Sequence, residues 1–256
     1  MGQEPIRAAV AGARGKMGRL VVETLRARAR DGIAYVGGLV RHGTAPREAE
    51  YADVERLLAD ARPHVLVDFT HYPASKSIAL ACIASGVRPV IGTSGYGAED
   101  VAELRAACQA ARIGAVFAPN FALGAVLMMK FAEEAAKHYA HVEIVEMHEA
   151  GKKDAPSGTA LATAQRLSGV HAFERAPTAL TRLAGARGAE AGGIGIHSLR
   201  LPGVVSRQEV MFGGDGEMLT IRHESYSRES FLRGVLVAVR AAALLTAFVD
   251  GLETLL

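Results

Sequence analysis

The chain has 256 residues, of which 50% are hydrophobic and 22% charged, with a formal net charge of +2. This near-neutral balance excludes a broad electrostatic surface for nucleic acid or membrane, and no apolar run reaches the roughly 18 residues needed to cross a bilayer. The first residues, MGQEPIRAAVAG, lack the signal-peptide order of charge, apolar stretch and cleavage site, so we expect a soluble, cytoplasmic protein. The length suits one large α/β domain or two smaller ones.

The first half alternates short β-rich runs with helical patterns, which is typical of a parallel sheet wrapped by helices. The five predicted strands are Ile6–Ala11, Ile33–Leu39, His64–Phe69, Pro89–Ile91 and Gly114–Ala118. Between them lie the helical patterns KMGRLVVETLRARAR, DVERLLADA, PASKSIALACIAS and AEDVAELRAACQAAR, and Gly86 is placed to end the third. Five such units predict a doubly wound α/β domain that binds a nucleotide.

Directly after the first strand, the sequence VAGARGKMG opens the first helix. Val10 stands at the first position of the pattern G-x-G-x-x-G, whereas Gly12 and Gly15 match its second and third glycines and Gly18 follows on the helix. Gly12 would let the backbone approach a pyrophosphate, and Gly15 would let helix and strand close up. We therefore predict nucleotide binding here, the alternative being an ordinary glycine turn.

The end of the second strand usually selects between NAD and NADP, because an acidic side chain there holds the ribose 2′-hydroxyl and a basic one accepts a 2′-phosphate. In this chain Val40 supplies no carboxylate and Arg41 supplies a guanidinium. We expect NADPH to bind well and do not exclude NADH, since both share the pyrophosphate contacts. The alternative for Arg41 is an ordinary solvated arginine.

After Asn120 the pattern changes. We predict helices at Gly124–Tyr139, Ser157–Leu167 and Glu229–Phe248, and strands at His141–His148, Ile194–Leu201, Arg207–Gly214 and Glu217–Ser225. The last two strands would form an antiparallel hairpin, whereas segment 169–193 is rich in Gly, Ala and Arg and has the composition of a mobile loop. The final helix is apolar on most of its circumference, so we expect it to return to the first domain.

A Pro-Ser-Gly-Thr sequence starts the second of these helices. Pro156 favours the first helical position, because its missing N–H would have no partner there. Ser157, Gly158 and Thr159 would then direct free backbone N–H groups outwards. Such donors, at the positive end of the helix dipole, predict a seat for a carboxylate or phosphate.

His148 and Lys152 lie just before this helix. Their spacing of four residues would let an ammonium group and an imidazole share one bound anion, and an imidazole exchanges protons at neutral pH. We predict that the chemistry takes place here. The alternative is a solvated loop followed by a routine helix cap.

Asparagine, cysteine and histidine further limit the chemistry that the sequence predicts. Asn120 is the only asparagine of the chain, which favours a task for an amide over a chance survivor in a loop. Cys82 and Cys108 lie in helical patterns, so we read them as core residues without a disulfide or a catalytic role. The nine histidines show no H-E-x-x-H pattern or clustering with cysteine, so we expect no metal.

Several motifs, taken in order, closely resemble the dihydrodipicolinate (4-hydroxy-tetrahydrodipicolinate) reductase family. They are VAGARGKMG, VDFT, IGTSG, APNFALG, EMHEAGKKDAPSGTA, IGIHSLRLPG and HESYSR, and KKDAPSGTA is the most specific of them. The resemblance implies a Rossmann-like doubly wound domain of residues 1–119 and 229–256. It further implies a central α+β domain of residues 120–228 that binds substrate and forms a homotetramer.

The same resemblance implies a role for individual residues. Cofactor contacts would come from Gly12, Ala13, Arg14, Gly15, Lys16, Met17, Arg41, Gly92, Thr93, Ser94, Ala118, Pro119, Asn120 and Phe121. The first six would cradle the pyrophosphate, the arginine after them would meet the adenosine ribose or its phosphate, and the other seven would line the nicotinamide. His148 and Lys152 fall on the proton-donor positions, and Gly158 and Thr159 on the turn that binds a substrate carboxylate.

One departure from the family pattern concerns charge. Glu149 stands where the family has a second histidine, and a carboxylate there would repel a dicarboxylate unless Lys152, Lys153 or an arginine neutralises it. We expect Lys153 to do so and leave Glu149 out of the substrate contacts. Ser94 and Ala122 replace the more usual threonine and serine, which are mild changes.

The implied activity is reduction of a cyclic dicarboxylate imine by NADPH or NADH, with His148 as proton donor and Lys152 assisting. One alternative is another two-domain reductase acting on a small carboxylated imine or aldehyde. A second is a cofactor-sensing binding protein, which would need the glycine turn but neither His148 nor Lys152. A thiol-dependent aldehyde dehydrogenase fits poorly, because neither cysteine lies in a loop.

Overall fold

The computed structural model describes residues 4–256, except for the side chain of Arg30. The chain forms two compact units. The first unit consists of the described residues up to Phe121 together with Phe231–Leu256, and the second unit is Ala122–Ser230.

The first unit contains a seven-stranded parallel sheet, which confirms the predicted α/β class. Its strands are β1 (Ile6–Ala11), β2 (Ile33–Leu39), β3 (Glu50–Tyr51), β4 (Val65–Asp68), β5 (Arg88–Ile91), β6 (Ala115–Phe117) and β12 (Phe248–Asp250). Their order across the sheet is β12-β6-β5-β4-β1-β2-β3. All of β4 and most of β1 are buried, because helices cover both faces of a parallel sheet and its central strands can be apolar throughout.

The described residues of this unit form five α-helices. They are α1 (Lys16–Ala27), α2 (Val54–Ala61), α3 (Ala74–Ala84), α4 (Ala98–Ala111) and α7 (Leu232–Ala242). In α1, Gly18, Val21 and Leu25 repeat at helical spacing and are buried. Gly86, with φ of +75°, follows the end of α3 as the sequence predicts. Helix α7 packs against β4, β5 and β6, so the C-terminal segment completes this unit.

The second unit is a mixed five-stranded sheet with two helices. Its elements are α5 (Leu123–Ala136), β7 (His141–His148), α6 (Gly158–Ser168), β8 (Ala189–Ala191), β9 (Ile194–Arg200), β10 (Ser206–Gly214) and β11 (Glu217–Ser225). The strand order is β11-β10-β7-β9-β8, with β7 and β9 parallel and the other neighbours antiparallel. The predicted hairpin is confirmed, since Gly214 pairs with Glu217 across a turn of two residues.

Two predictions about elements are wrong. The final helix ends at Ala242 rather than Phe248, because the chain turns so that the carbonyl oxygen of Leu245 accepts hydrogen bonds from Gly114 and Arg88. Segment 169–193 is not wholly a loop, since β8 lies within it and the Phe173 side chain is buried. The high Gly and Ala content of the segment gave no pattern that would predict β8 or the burial of Phe173.

Candidate active site

The glycine turn after β1 leaves no room for side chains at two positions. Gly12 has φ of +75°, and a Cβ there would lie 2.7 Å from the carbonyl oxygen of Phe69. A Cβ at Gly18 would lie 2.0 Å from the carbonyl oxygen of Gly12, so α1 begins in close contact with the turn. The absence of side chains thus brings the backbone of the turn, the end of β4 and the start of α1 together.

Hydrogen bonds within the turn decide which donors can face an anion. The N–H groups of Gly12 and Ala13 donate to the carbonyl oxygen of Leu39, and that of Gly15 donates to Gly12. Gly12, Ala13 and Gly15 were predicted to contact a pyrophosphate. They shape the turn but have no N–H group left to donate to it. Lys16 and Met17 start α1, where backbone N–H groups have no partner inside the helix, and a pyrophosphate would meet those donors.

A cavity of about 730 Å³ opens beside this turn. Gly12, Arg14, Gly15 and Arg41 all line it. Arg14 is bound by both carboxylate oxygens of Glu50, at 3.2 and 2.5 Å, and this hydrogen bonding lowers the pKa of Glu50. Glu50 offsets the positive charge of Arg14, whereas Arg41 lines the cavity with an exposed side chain that can turn towards a phosphate. The size, the turn and the cation fit the adenosine end of a dinucleotide.

The end of β5 is tied to the end of β4. The buried carboxylate of Asp68 accepts hydrogen bonds from the hydroxyls of Thr93 and Ser75 and from the N–H of Thr70. A Cβ at Gly92 would lie 2.3 Å from the Phe69 ring. Gly92 and Thr93 are therefore held by close packing and a buried hydrogen bond, whereas Ser94, the third residue predicted here, is exposed.

The residues after β6 continue this edge of the sheet. The N–H of Ala118 donates to Ile91 at 3.0 Å, Pro119 is exposed and Asn120 is half-buried. Phe121 is buried, and its ring centroid lies 5.7 Å from that of Phe69. The structure thus gathers the residues predicted around the nicotinamide at the carboxyl ends of β4, β5 and β6, the edge at which open α/β sheets bind ligands.

In the second unit, His148 ends β7 and lies against a buried carboxylate. Its Nδ1 is 2.5 Å from Oε2 of Glu146, whose side chain is 0% exposed. Arg200, on the neighbouring strand β9, donates to both Glu146 oxygens, at 3.0 and 2.8 Å. This ion pair, whose carboxylate is fully buried, holds the histidine at the end of the central strand β7.

Glu146 is ionised in this setting. Burial by itself raises the pKa of the Glu146 carboxyl, but hydrogen bonds from Arg200, Ser198 and His148 outweigh it, so the pKa lies below its ordinary value. A carboxylate with these donors is a strong acceptor for the imidazole N–H.

The start of α6 differs from the prediction. Helix α6 begins at Gly158, with Ser157 as its N-cap, so Pro156 lies one residue before the cap rather than in the first turn. The N–H of Ser157 donates to Oε1 of Glu146 at 3.2 Å, and its hydroxyl accepts from the N–H of Ala160. Ser157 is therefore a structural residue without a free N–H. A Cβ at Gly158 would meet nothing within 4 Å, so the helix N-terminus opens to space there.

The loop between β7 and α6 carries the charged residues. Nζ of Lys152 lies 2.8 Å from Oδ1 of Asp154, and this hydrogen bond lowers the pKa of Asp154. Glu149 lies 3.6 Å from Arg228. The expected compensation of Glu149 by Lys153 is thus replaced by an ion pair with an arginine, because the chain after β11 returns next to this loop.

Comparison with known proteins identifies the family. Family models described as Dihydrodipicolinate reductase, N-terminus and C-terminus match residues 6–121 and 124–256. The chain belongs to the dihydrodipicolinate reductase family.

Similar proteins cover nearly the whole chain. The 4-hydroxy-tetrahydrodipicolinate reductases of Geobacillus kaustophilus and Moorella thermoacetica are 46% and 45% identical to it, over 98% of this chain and 99% and 98% of theirs. A solved structure, a dipicolinate-bound dihydrodipicolinate reductase from Paenisporosarcina sp. TG-14, has a TM-score of 0.89 and 38% identity, over 98% of this chain and 100% of that one. Family membership makes this protein an oxidoreductase, and its Rossmann-like unit implies a nicotinamide cofactor.

The two cysteines have reactive side chains, but both lie in the core. Cys82 and Cys108 are free and buried in the core, and burial raises both thiol pKa values, that of Cys108 to about 11.

Within residues 4–256, no group of three His, Cys, Asp or Glu side chains could hold a metal ion. None of the helices described is long and apolar enough to cross a membrane.

Glu146 and Arg200 belong to this site although no motif predicted a role for either. Glu146 shares the buried face of β7 with Val142 and Ile144, and a carboxylate on an apolar face needs partners. That alternation was a usable signal. Arg200 carries no comparable signal, since its partner lies 54 residues away.

Proposed function

We propose that this protein reduces 4-hydroxy-tetrahydrodipicolinate to tetrahydrodipicolinate in lysine and diaminopimelate biosynthesis. The names of its relatives, which match over nearly their full length, support this reaction. The relative of known structure is described as dipicolinate-bound, and dipicolinate is a small ring with two carboxylates. A substrate of that class needs a proton donor and cationic or N–H groups for its carboxylates.

One observation carries the proposal. The Glu146 carboxylate accepts hydrogen bonds from both the His148 imidazole and the N–H of Ser157. An imidazole that can exchange a proton is thereby fixed beside a helix N-terminus that can bind an anion. A regulatory binding protein would need neither.

Residues of the second unit donate the proton and bind the substrate carboxylates. His148 donates the proton to the substrate, and Lys152 holds a carboxylate and stabilises charge as it develops. The backbone at Gly158 and Thr159 receives a carboxylate at the start of α6. Lys152 leaves its ion pair with Asp154 to do so, a small cost because Asp154 is 59% exposed.

The first unit would hold the dinucleotide. Lys16 and Met17 would face the pyrophosphate, Arg41 the adenosine ribose or its 2′-phosphate, and Gly92, Thr93 and Asn120 the nicotinamide. When bound, the cofactor supplies the hydride. Arg41 favours NADPH, whereas the shared contacts also admit NADH. The remaining predictions, a cytoplasmic homotetramer assembled through residues 120–228, belong to the same proposal.

The decisive experiment follows NADPH absorbance with substrate generated enzymatically. We expect oxidation of NADPH that depends on the substrate and is matched by formation of tetrahydrodipicolinate. Oxidation only with another carboxylated imine or an aldehyde would indicate a different reductase. Cofactor binding without turnover of any such compound would indicate a binding protein and refute the proposal.

A further inference from the structure

We propose that Glu146 is the positioning residue for His148, and that Arg200 locks it in place. In this role Glu146 keeps one proton on Nδ1 of the imidazole, so that Nε2 is the atom that exchanges a proton with the substrate. This inference deepens the proposed function and rests on it for the role of His148.

The donors around Glu146 determine the direction of its hydrogen bond with the imidazole. Arg200 has no acceptor and cannot lose its proton at ordinary pH, and the N–H of Ser157 is likewise only a donor. Their partner must therefore be a carboxylate rather than a carboxylic acid. A carboxylate 2.5 Å from Nδ1 requires a proton on that nitrogen, because a ring lone pair facing an anion would be repelled.

This arrangement suits a proton donor in both of its states. When His148 is protonated, its positive ring lies against the negative charge of Glu146 and is stabilised. When Nε2 has given its proton to the substrate, the ring left behind is the neutral Nδ1–H form, whose remaining hydrogen bond is already made. Glu146 stays ionised throughout, since Arg200 holds both of its oxygens.

The same ion pair fixes the other parts of the site. Oε1 of Glu146 accepts from the N–H of Ser157, which sets the start of α6. Nη2 of Arg200 also donates to the backbone carbonyl of Asp154 at 2.7 Å, which braces the loop that carries Lys152. One buried carboxylate and one guanidinium therefore set the positions of the proton donor, the amine and the helix N-terminus.

The chain offers a matched control on the same strand. Glu143 also pairs with an arginine and a histidine, Arg187 and His197, each at 2.8 Å. Glu143→Gln therefore removes a carboxylate with similar partners at a position we have not placed in the site. A difference between Glu146→Gln and Glu143→Gln isolates the effect of the carboxylate beside His148.

The test combines ¹⁵N NMR of histidine-labelled protein with kinetics. In the wild type we expect the neutral His148 ring, assigned by its loss in His148→Gln, to carry its proton on Nδ1. Glu146→Gln should mix or reverse the two tautomers and lower kcat on the order of 10²-fold, with little change in the KM for NADPH. Glu143→Gln should change neither the tautomer nor kcat.

A wild-type ring protonated on Nε2 would overturn the proposal, and this spectrum needs no variant to fold. Folded Glu146→Gln in which the neutral His148 ring still carries its proton only on Nδ1 would overturn it too. The spectrum also needs no turnover, so an inactive wild type with Nδ1 protonated would refute the proposed function while leaving the pairing of Glu146 with His148 intact.

Discussion

The glycine turn of the first unit and the His148 site of the second depend on opposite features of their side chains. At the turn, the structure depends on side chains that are absent, because a Cβ at Gly12 or Gly18 would meet backbone oxygen atoms. At the His148 site it depends on charges that are present, because the buried Glu146 carboxylate holds the imidazole and the partly buried Arg200 guanidinium holds Glu146. Added volume should therefore damage the first region, and lost charge the second.

The largest expected effect comes from the proposed reacting groups. His148→Ala or Lys152→Ala should lower kcat on the order of 10² to 10⁴-fold, because each removes a group that acts on the substrate in the transition state. Steady-state kinetics measures the loss, and circular dichroism with NADPH titration checks that the fold and the first unit remain intact. Turnover close to that of the wild type in either variant would remove that residue from the chemistry.

Gly12→Ala tests the opposite region by adding one methyl group. The positive φ and the 2.7 Å approach to the Phe69 oxygen should lower the free energy of unfolding by about 3 kcal/mol and weaken NADPH binding. Gly158→Ala is the matched control for stability, since its Cβ would meet nothing within 4 Å. Urea unfolding of both variants gives the comparison, and equal stabilities would contradict it.

Arg41→Ala tests whether charge also matters in the first unit. We expect the Kd of NADPH to rise on the order of 10-fold and that of NADH to change much less, because only NADPH carries a 2′-phosphate. Arg47→Ala is the control, as an exposed arginine in the same segment that does not line the cavity. Equal effects on the two cofactors would exclude Arg41 from their discrimination.

The smallest expected effect is on acid stability. Because the pKa of Glu146 is below its ordinary value of 4.5, its stabilising contribution is present above that pH and is lost as pH falls through the folded-state pKa. Wild type should therefore lose more unfolding free energy than Glu146→Gln as the pH falls from neutral to acidic. Urea titrations across this range measure the two slopes, and parallel slopes would count against an ionised Glu146.

The same contrast explains how much the sequence could predict. The bounds of strands β1, β2, β7 and β11 match the prediction to the residue, because each has six to nine residues, enough for a pattern to show. Strands β3 and β12 have two and three residues and show no period, so only their neighbours in the sheet define them.

The site shows a similar division. The glycine turn and the His148 segment are local in sequence and were recognisable as motifs. Ser157 was misjudged because its N–H binds Glu146, eleven residues earlier, and Arg200 was missed because it acts on a different strand. The contact of Arg200 depends on the pairing of β7 with β9, and that of Ser157 on the return of the chain to β7, which no single segment encodes.

In the proposed reaction, His148 delivers the proton in a reduction driven by NADPH. The most direct test of this role is single-turnover oxidation of NADPH with enzymatically generated 4-hydroxy-tetrahydrodipicolinate, in wild type and in His148→Gln, with the Kd of NADPH measured for both. We predict equal cofactor affinity and a rate lower by at least about 10²-fold in the variant. Equal rates in the two proteins would contradict the account.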